Sequence, residues 1–288
     1  MFFILGISLV TMCVFGAFAA HGGHLAVLYQ PAEYVIIAGA AGCSLLISSP
    51  LSQIKEIIRQ VIGASKDGGR SKDEYVELLL CLYELIKTGK GNILGLEAHV
   101  ENPDSSELFN RYPSVLKNHH AVHFIADTLK VQISSPVSPF DLEELMDTDL
   151  TAAHKEEEKA ASTVVRIADS MPGLGIVAAV LGVVNTMGHL AEGKEAVGHN
   201  VAAALVGTFL GVLLSYGYLN PLGAKMGENI EAEGKYLEVA KSGLLAFAKE
   251  ASPKVCVEFA RRSVPPHVRP SFEEIDQATS NLKGKAAA

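Results

Sequence analysis

Four long apolar stretches constrain the fold of this chain more than any other feature. A helix needs about 20 apolar residues to cross the hydrocarbon core of a bilayer. Residues 2–20, 34–49, 171–190 and 201–222 approach or reach that length, and none of them contains Asp, Glu, Lys or Arg. The first stretch lacks the basic start of a signal peptide, so we expect it to be retained. The pattern predicts a membrane protein with four transmembrane helices.

The composition fits a membrane protein with a sizeable part in water. Of the 288 residues 49% are apolar and only 19% are charged, and the mean hydropathy is +0.25, which makes a single soluble globule a poor fit. The net charge of −8 gives no basic face for nucleic acid. Four cysteines without paired spacing predict free thiols.

The distribution of basic residues predicts the topology. Thirteen Lys and Arg residues fall between positions 50 and 170, ten follow position 222, and one, Lys194, lies between the last two stretches. Basic residues favour the cytoplasmic side, so both termini are predicted to be cytoplasmic. The chain then divides into two spans (1–50), a cytoplasmic helical domain (51–170), two spans that line an ion path (171–222) and a cytoplasmic tail (223–288).

The sequence pattern predicts helices in the cytoplasmic parts as well, so the predicted fold class is all-α. Ser71 precedes an acidic first turn and is a helix cap, and Ser138 opens a run without a helix breaker until Pro172. We expect the second of these helices to continue into the third span, and the fourth span to continue into the tail. The proline-rich residues 252–272 are predicted to be loop.

Small residues in the last two spans recur three or four positions apart. Such rows let helix backbones approach closely, either for simple packing or for a functional pore. The rows are Pro172, Gly175, Ala179, Gly182 and Thr186 in the third span and Ala203, Gly207, Gly211 and Ser215 in the fourth. Hydroxyls at this depth, such as that of Thr208, bond back to their own helix or face a wet interface.

No nucleophile and base pair, phosphate loop or metal signature supports an enzyme. His119, His120 and His123 are spaced for a metal, but no nearby acid is expected to complete a catalytic site, so exposed histidines are the expectation. No cofactor is expected. A protein that moves ions usually offers a titratable group at depth, so these spans, if they conduct, need a carboxylate from a partner.

Six segments resemble the motility protein A (MotA) family of flagellar stator subunits, which is related to the TolQ and ExbB proton channels. They run in order over nearly the whole chain: GGHLAVLYQPAEYVIIAGAA (22–41), ENPDSSELFNRYP (101–113), MPGLGIVAAVLGVV (171–184), LVGTFLGVLLSYGYLNPL (205–222), VEFARR (257–262) and RPSFEEID (269–276). The resemblance implies a multi-pass protein of the bacterial inner membrane.

The resemblance also implies partners and an activity. A ring of MotA-type subunits, five in number, surrounds MotB-like single-span helices, whose aspartate takes up and releases the ion. Ion flow then turns the ring, and its cytoplasmic part pushes the rotor protein FliG.

Six site residues follow from the matching motifs. Pro172 and Pro221 occupy the places of two family prolines linked to coupling, and Thr208 that of a threonine facing the partner's aspartate. Sodium-driven relatives carry threonine where this chain has Ala179, which implies that the ion is a proton rather than sodium. Glu97 matches a rotor-facing acid, and Lys90 stands where the family usually has arginine, with one residue fewer between the two. Without the resemblance, Pro172 is compatible with a packed bend and Pro221 with the end of a membrane helix. Lys90 and Glu97 are then compatible with solvated surface charges.

Two other functions are compatible with the residues alone. One is a TolQ- or ExbB-like energiser of outer-membrane processes, although those relatives typically have three spans and lack LYQPAE. The other is a membrane scaffold or enzyme without ion flux.

Overall fold

The structure, a computed structural model, describes residues 2–65, 69–135, 137–188 and 193–285, and within these ranges it is helical without a β-strand. The chain divides into two compact units. The membrane unit comprises Met1–Gly68 and Lys155–Ile230, and the helical unit comprises Gly69–His154 and Glu231–Ala288. The predicted all-α class is confirmed.

Helices α1 to α4 form the first part of the membrane unit. They are α1 (Phe2–Ala20), α2 (Pro31–Tyr34), α3 (Ala40–Ser48) and α4 (Leu51–Ala64), with a 3₁₀ turn at Leu25–Leu28 and a π-helical segment at Val35–Gly39 joining α2 to α3. The second span therefore runs over Leu25–Ser48 rather than from residue 34. Pro31 occupies the first turn of α2, where its missing N–H costs nothing.

Two long helical stretches supply the third and fourth spans. Helix α10 (Pro139–Gly188) is continuous, and the second stretch consists of α11 (Lys194–Val212), a π-helical segment (Leu213–Leu219) and α12 (Asn220–Ala248). The predicted continuation of both spans as helix beyond the apolar stretches is confirmed. Residues 189–190, which the sequence analysis assigned to the third span, lie outside the described residues.

The core of the membrane unit lies where the second span packs on α10 and α11. Its buried side chains are Ile37, Ala41, Met171, Ala178, Val206 and Leu210. Helix α1 has no buried residue, and its contacts with the unit include two between side chains. Phe15 meets Phe209 edge to face at 6.3 Å between ring centroids, and the hydroxyls of Thr11 and Tyr218 are 2.9 Å apart. Most of α1 thus faces lipid or another protein.

The helical unit is built around α5 (Lys72–Gly91). Around it lie six further helices: α6 (Glu97–Glu101), α7 (Glu107–Asn110), α8 (Pro113–Leu116), α9 (His119–Ser134), α13 (Pro253–Ser263) and α14 (Phe272–Lys285). The Ser71 cap is confirmed as a capping box, in which Ser71 and Glu74 satisfy each other's backbone N–H groups. Ser138 likewise accepts a bond from the Asp141 N–H at 3.2 Å.

The loop predicted over residues 252–272 is wrong in its first half. Helix α13 fills Pro253–Ser263 and buries Cys256, Val257 and Ala260. Pro253 is the first helical residue, a position that tolerates proline, and the remaining prolines follow the helix. The prolines thus mark the two ends of a helix and not a continuous loop.

Candidate ion path and coupling site

The small-residue rows of α10 and α11 meet in a close helix crossing. A Cβ added at Gly175 would lie 2.7 Å from the carbonyl oxygen of Gly207, and one at Gly211 would lie 2.5 Å from that of Met171. Real Cβ atoms do not approach backbone that closely, so these positions require glycine. At Gly182 the opposing residue is Ala204, at 2.7 Å. The crossing therefore uses Ala204 on the row where the sequence analysis placed Ala203.

Ala179 and Thr208 both lie at this crossing. A Cβ added at Gly207 would lie 3.3 Å from the backbone nitrogen of Ala179, and a Cβ added at Gly175 would lie 3.3 Å from the Cα of Thr208. Both residues are half-buried within the chain. Thr186, by contrast, is fully buried, and its hydroxyl bonds back to the Gly182 carbonyl at 2.8 Å. The structure thus places Ala179 and Thr208 at the same helix crossing.

Glu33 contradicts the expectation that the spans contain no ionisable group. It lies within the observed second span and is only 7% exposed, and its Oε2 has no hydrogen-bond partner among the residues that the structure describes. That oxygen is 2.6 Å from the Cβ position of Gly207, and Oε1 is 3.4 Å from that of Gly182. Glu33 was not expected because the apolar stretch begins at residue 34, whereas the observed span begins at Leu25. The signal available was the proline at the start of α2, which begins the helix before Glu33.

Pro172 and Pro221 are linked through hydrogen bonds of their neighbours. The Asn220 side chain donates to Asp169 Oδ1 at 3.2 Å and to the hydroxyl of buried Ser215 at 3.4 Å. Asp169 precedes Pro172 by one helical turn, and Asn220 directly precedes Pro221. The last two spans are therefore joined by a side-chain hydrogen bond at the level of both prolines. Asn220 lies in the segment 205–222 that carries the resemblance, but nothing in the sequence pointed to its bond with Asp169.

Both prolines interrupt helical hydrogen bonding, each in a different way. Pro172 lies inside α10, where its ring leaves the carbonyl of Ala168 without the usual donor. Pro221 follows the π-helical segment Leu213–Leu219, and such segments take up the backbone that a proline displaces. Pro221 does not end a helix, since α12 continues to Ala248.

Lys90 and Glu97 lie on either side of the turn between α5 and α6, and both are exposed. The Lys90 ammonium donates to the carbonyl of Glu250 at 2.6 Å, where the backbone has left α12 with φ of 60°. Lys90 thus has a structural contact in addition to its surface charge. The intervening turn exposes Leu94 at 62%.

The VEFARR segment is a compact charge cluster on α13. Glu258 accepts bonds from Arg261 and from Arg262, each at 2.7 Å. The bonds from Arg261, followed by those from Arg262, outweigh the effect of burial and lower the pKa of Glu258 to about 2.

The three histidines line an open groove of about 280 Å³ in the helical unit, and Asp127 and Asp149 line the same groove. The expectation that no acid lies near them was therefore incomplete. Within the described residues, no group of three potential ligands is placed to hold a metal ion.

Two family models match the chain in succession. Residues 4–92 match the motility protein A N-terminal model, and residues 117–238 match the MotA/TolQ/ExbB proton channel family. Motility protein A of Escherichia coli is 36% identical over 98% of this chain and 96% of its own length. The Salmonella typhimurium protein of the same name is 35% identical over 96% and 94%.

Solved structures show the same fold. A chain of the flagellar MotAB stator complex from Bacillus subtilis superposes with a TM-score of 0.75, at 22% identity, over 93% of this chain and 98% of that one. The similarity covers residues of both units and shows that this chain has the same fold.

Proposed function

This chain belongs to the motility protein A family of flagellar stator subunits, and we propose that it works with a MotB-like single-span partner as a proton-driven torque generator. The family is one of channel and motor components rather than enzymes. The observation that carries the proposal is the crossing of α10 and α11, where glycine backbones in contact place Ala179 and Thr208 together.

The partner in this proposal supplies the aspartate that takes up and releases the ion. Thr208 lies half-buried on α11 and is available to face that aspartate. A ring of five copies of this chain around the partner helices would surround the aspartate with repeated α10 and α11 faces. The complex would lie in the inner membrane with both termini of this chain in the cytoplasm.

The proposed ion is a proton. Sodium must have its water shell replaced by several oxygen ligands, whereas a proton needs only a carboxylate and a chain of water. Ala179 offers no hydroxyl at the crossing, so this chain supplies one oxygen fewer than a threonine there would.

Coupling in this proposal uses the prolines at the inner ends of the spans. Pro172 and Pro221 would allow the helices to bend when the partner's aspartate changes charge, and the Asp169–Asn220 bond would make the two bends concerted. Lys90 and Glu97 would contact the rotor protein FliG, where surface charges set orientation and encounter more than affinity.

Flux measurements test the proposal. Vesicles with this chain and its partner should take up protons under a membrane potential, and vesicles with either protein alone should not. Tethered cells should keep rotating when sodium is removed and stop when an uncoupler collapses the proton gradient with sodium present. Rotation that stops in the first condition and persists in the second would refute the choice of ion, and flux from this chain alone would refute the role of the partner.

A further inference from the structure

Glu33 is a carboxylate for which the proposed mechanism has no task. It lies nine-tenths buried in the second span, and within the described part of the chain no group bonds to its Oε2. An ionised group at membrane depth is expensive, and unpaired polar atoms there are rare unless they serve a pathway. A side chain that only filled space at this position would be better apolar.

The surroundings of Glu33 leave room for its carboxylate. Its two oxygens occupy space next to Gly207 and Gly182. A Cβ added at Gly207 would lie 2.6 Å from Oε2, and a Cβ added at Gly182 would lie 3.4 Å from Oε1. The other nearest atoms at these two glycines belong to Ala178, Ala179 and Ala204, which carry no charge. Within the described residues, the atoms nearest to the two glycines therefore include the Glu33 carboxylate and none from a basic side chain.

The position of Glu33 along the spans places it on the route that an ion would take. Gly182 follows Pro172 by ten residues, or about 15 Å of helix, and Gly207 precedes Pro221 by fourteen, or about 21 Å. The hydrocarbon core is about 30 Å thick. The carboxylate therefore lies between one half and two thirds of the way from the inner to the outer surface, beside the residue that precedes Thr208.

We propose that Glu33 is a second proton-binding carboxylate of the ion path, seated between Gly182 and Gly207. The inference rests on the proposed function and adds to it a site on this chain. A hydrated proton arrives from the outer side, an O–H bond forms at one Glu33 oxygen, and water is released. The same bond breaks when the proton passes to water or to the partner's carboxylate, which restores the Glu33 carboxylate.

Proton flux through the reconstituted complex with its partner tests the inference. Glu33→Gln keeps the shape of a neutral carboxyl but exchanges no proton, so we expect flux to fall about 100-fold, the lower end of what a positioned proton-transfer group contributes. Glu33→Asp should retain more flux than Glu33→Gln. The control is Glu158→Gln, which removes an exposed acid outside the spans and should leave flux unchanged.

The outcomes separate the inference from the proposed function. If the wild-type complex conducts and Glu33→Gln conducts equally well, Glu33 only packs and the inference is overturned. If the wild-type complex does not conduct at all, the proposed function itself fails.

A second measurement covers a variant that fails to assemble. Dicyclohexylcarbodiimide modifies carboxyls that are protonated in apolar surroundings, and mass spectrometry of the labelled wild-type complex locates the adduct. We expect an adduct on Glu33 that disappears at alkaline pH. A complex in which other carboxyls react and Glu33 does not would overturn the inference.

Discussion

Substitution of Gly211 by alanine is the most direct test of the helix crossing. The new Cβ would lie 2.5 Å from the Met171 carbonyl oxygen, 3.0 Å from Gly175 Cα and 3.2 Å from Gly175 N. All three are backbone atoms, so no rotamer change can relieve the contact. Because relaxed carbon–oxygen contacts start near ~3.3 Å, the two helices must separate by roughly 0.8 Å.

The cost of that separation can be isolated with a matched variant. A gap of ~0.5–1 Å forfeits about a quarter to a half of the dispersion energy of each contact, and overpacking typically costs ~1–3 kcal/mol. Replacing glycine by alanine also favours a helix by up to ~1 kcal/mol. Gly173 lies near the same level of α10, and a Cβ there would meet nothing within 4 Å. Gly173→Ala carries the same helix gain without the clash, so the difference between the variants reports the clash alone.

Unfolding of the reconstituted protein in mixed micelles, followed by circular dichroism, measures this difference. We expect Gly211→Ala to be less stable than Gly173→Ala by ~1–3 kcal/mol, about 5- to 150-fold in the unfolding equilibrium. Equal stability of the two variants would mean that α10 and α11 do not touch at Gly211. Gly227→Ala, in α12, is a second control without a clash.

Three further predictions address the coupling residues and the charge cluster. Pro172→Ala supplies an N–H for the Ala168 carbonyl and should leave membrane assembly normal while abolishing torque in tethered cells; loss of the protein from the membrane would favour a packing role. Glu97→Lys should impair swimming more at low than at high salt, because the proposed contact is exposed and screened, and a salt-independent defect would contradict this. It is a cleaner probe than Lys90→Glu, which also removes the bond to Glu250. The pKa of Glu258 is lowered to about 2 in the folded chain, so the ionised side chain stabilises the fold at pH values above the usual Glu pKa. This contribution is lost as the pH falls toward 2. Glu258→Gln should therefore cost ~1–2 kcal/mol at pH 7 after allowance for screening, and clearly less at pH 3, as measured by denaturant unfolding; a cost that does not change with pH would refute the assignment.

Hydropathy predicted the number of spans correctly because a run of apolar residues can be satisfied only in lipid or in a core, although the second span begins at Leu25 and not at residue 34. Caps predicted the starts of α5 and α10 because their hydrogen bonds are local. The continuation of α10 through Pro172 also followed from the sequence, since one proline bends a helix without ending it.

Features that depend on distant residues could not be predicted in the same way. The depth of Glu33 is set by Gly182 and Gly207, which are about 150 and 174 residues further along the chain. No local pattern pairs Asp169 with Asn220, yet a hydrogen bond between their side chains joins two spans. Helix α13 was missed because prolines at both of its ends outweighed the apolar spacing between them.

Gly207 has two roles at the crossing. Its carbonyl meets the Gly175 position, and the space that its absent side chain leaves is shared by Ala178 and the Glu33 carboxylate. A larger residue would therefore push apart α10 and α11 and also displace Glu33. Gly211 touches only Met171 and Gly175 among the atoms nearest to it, so a substitution there disturbs the crossing without direct contact with the carboxylate. The two glycines thus separate the packing of the spans from the placement of the ionisable group, although they are only one helical turn apart.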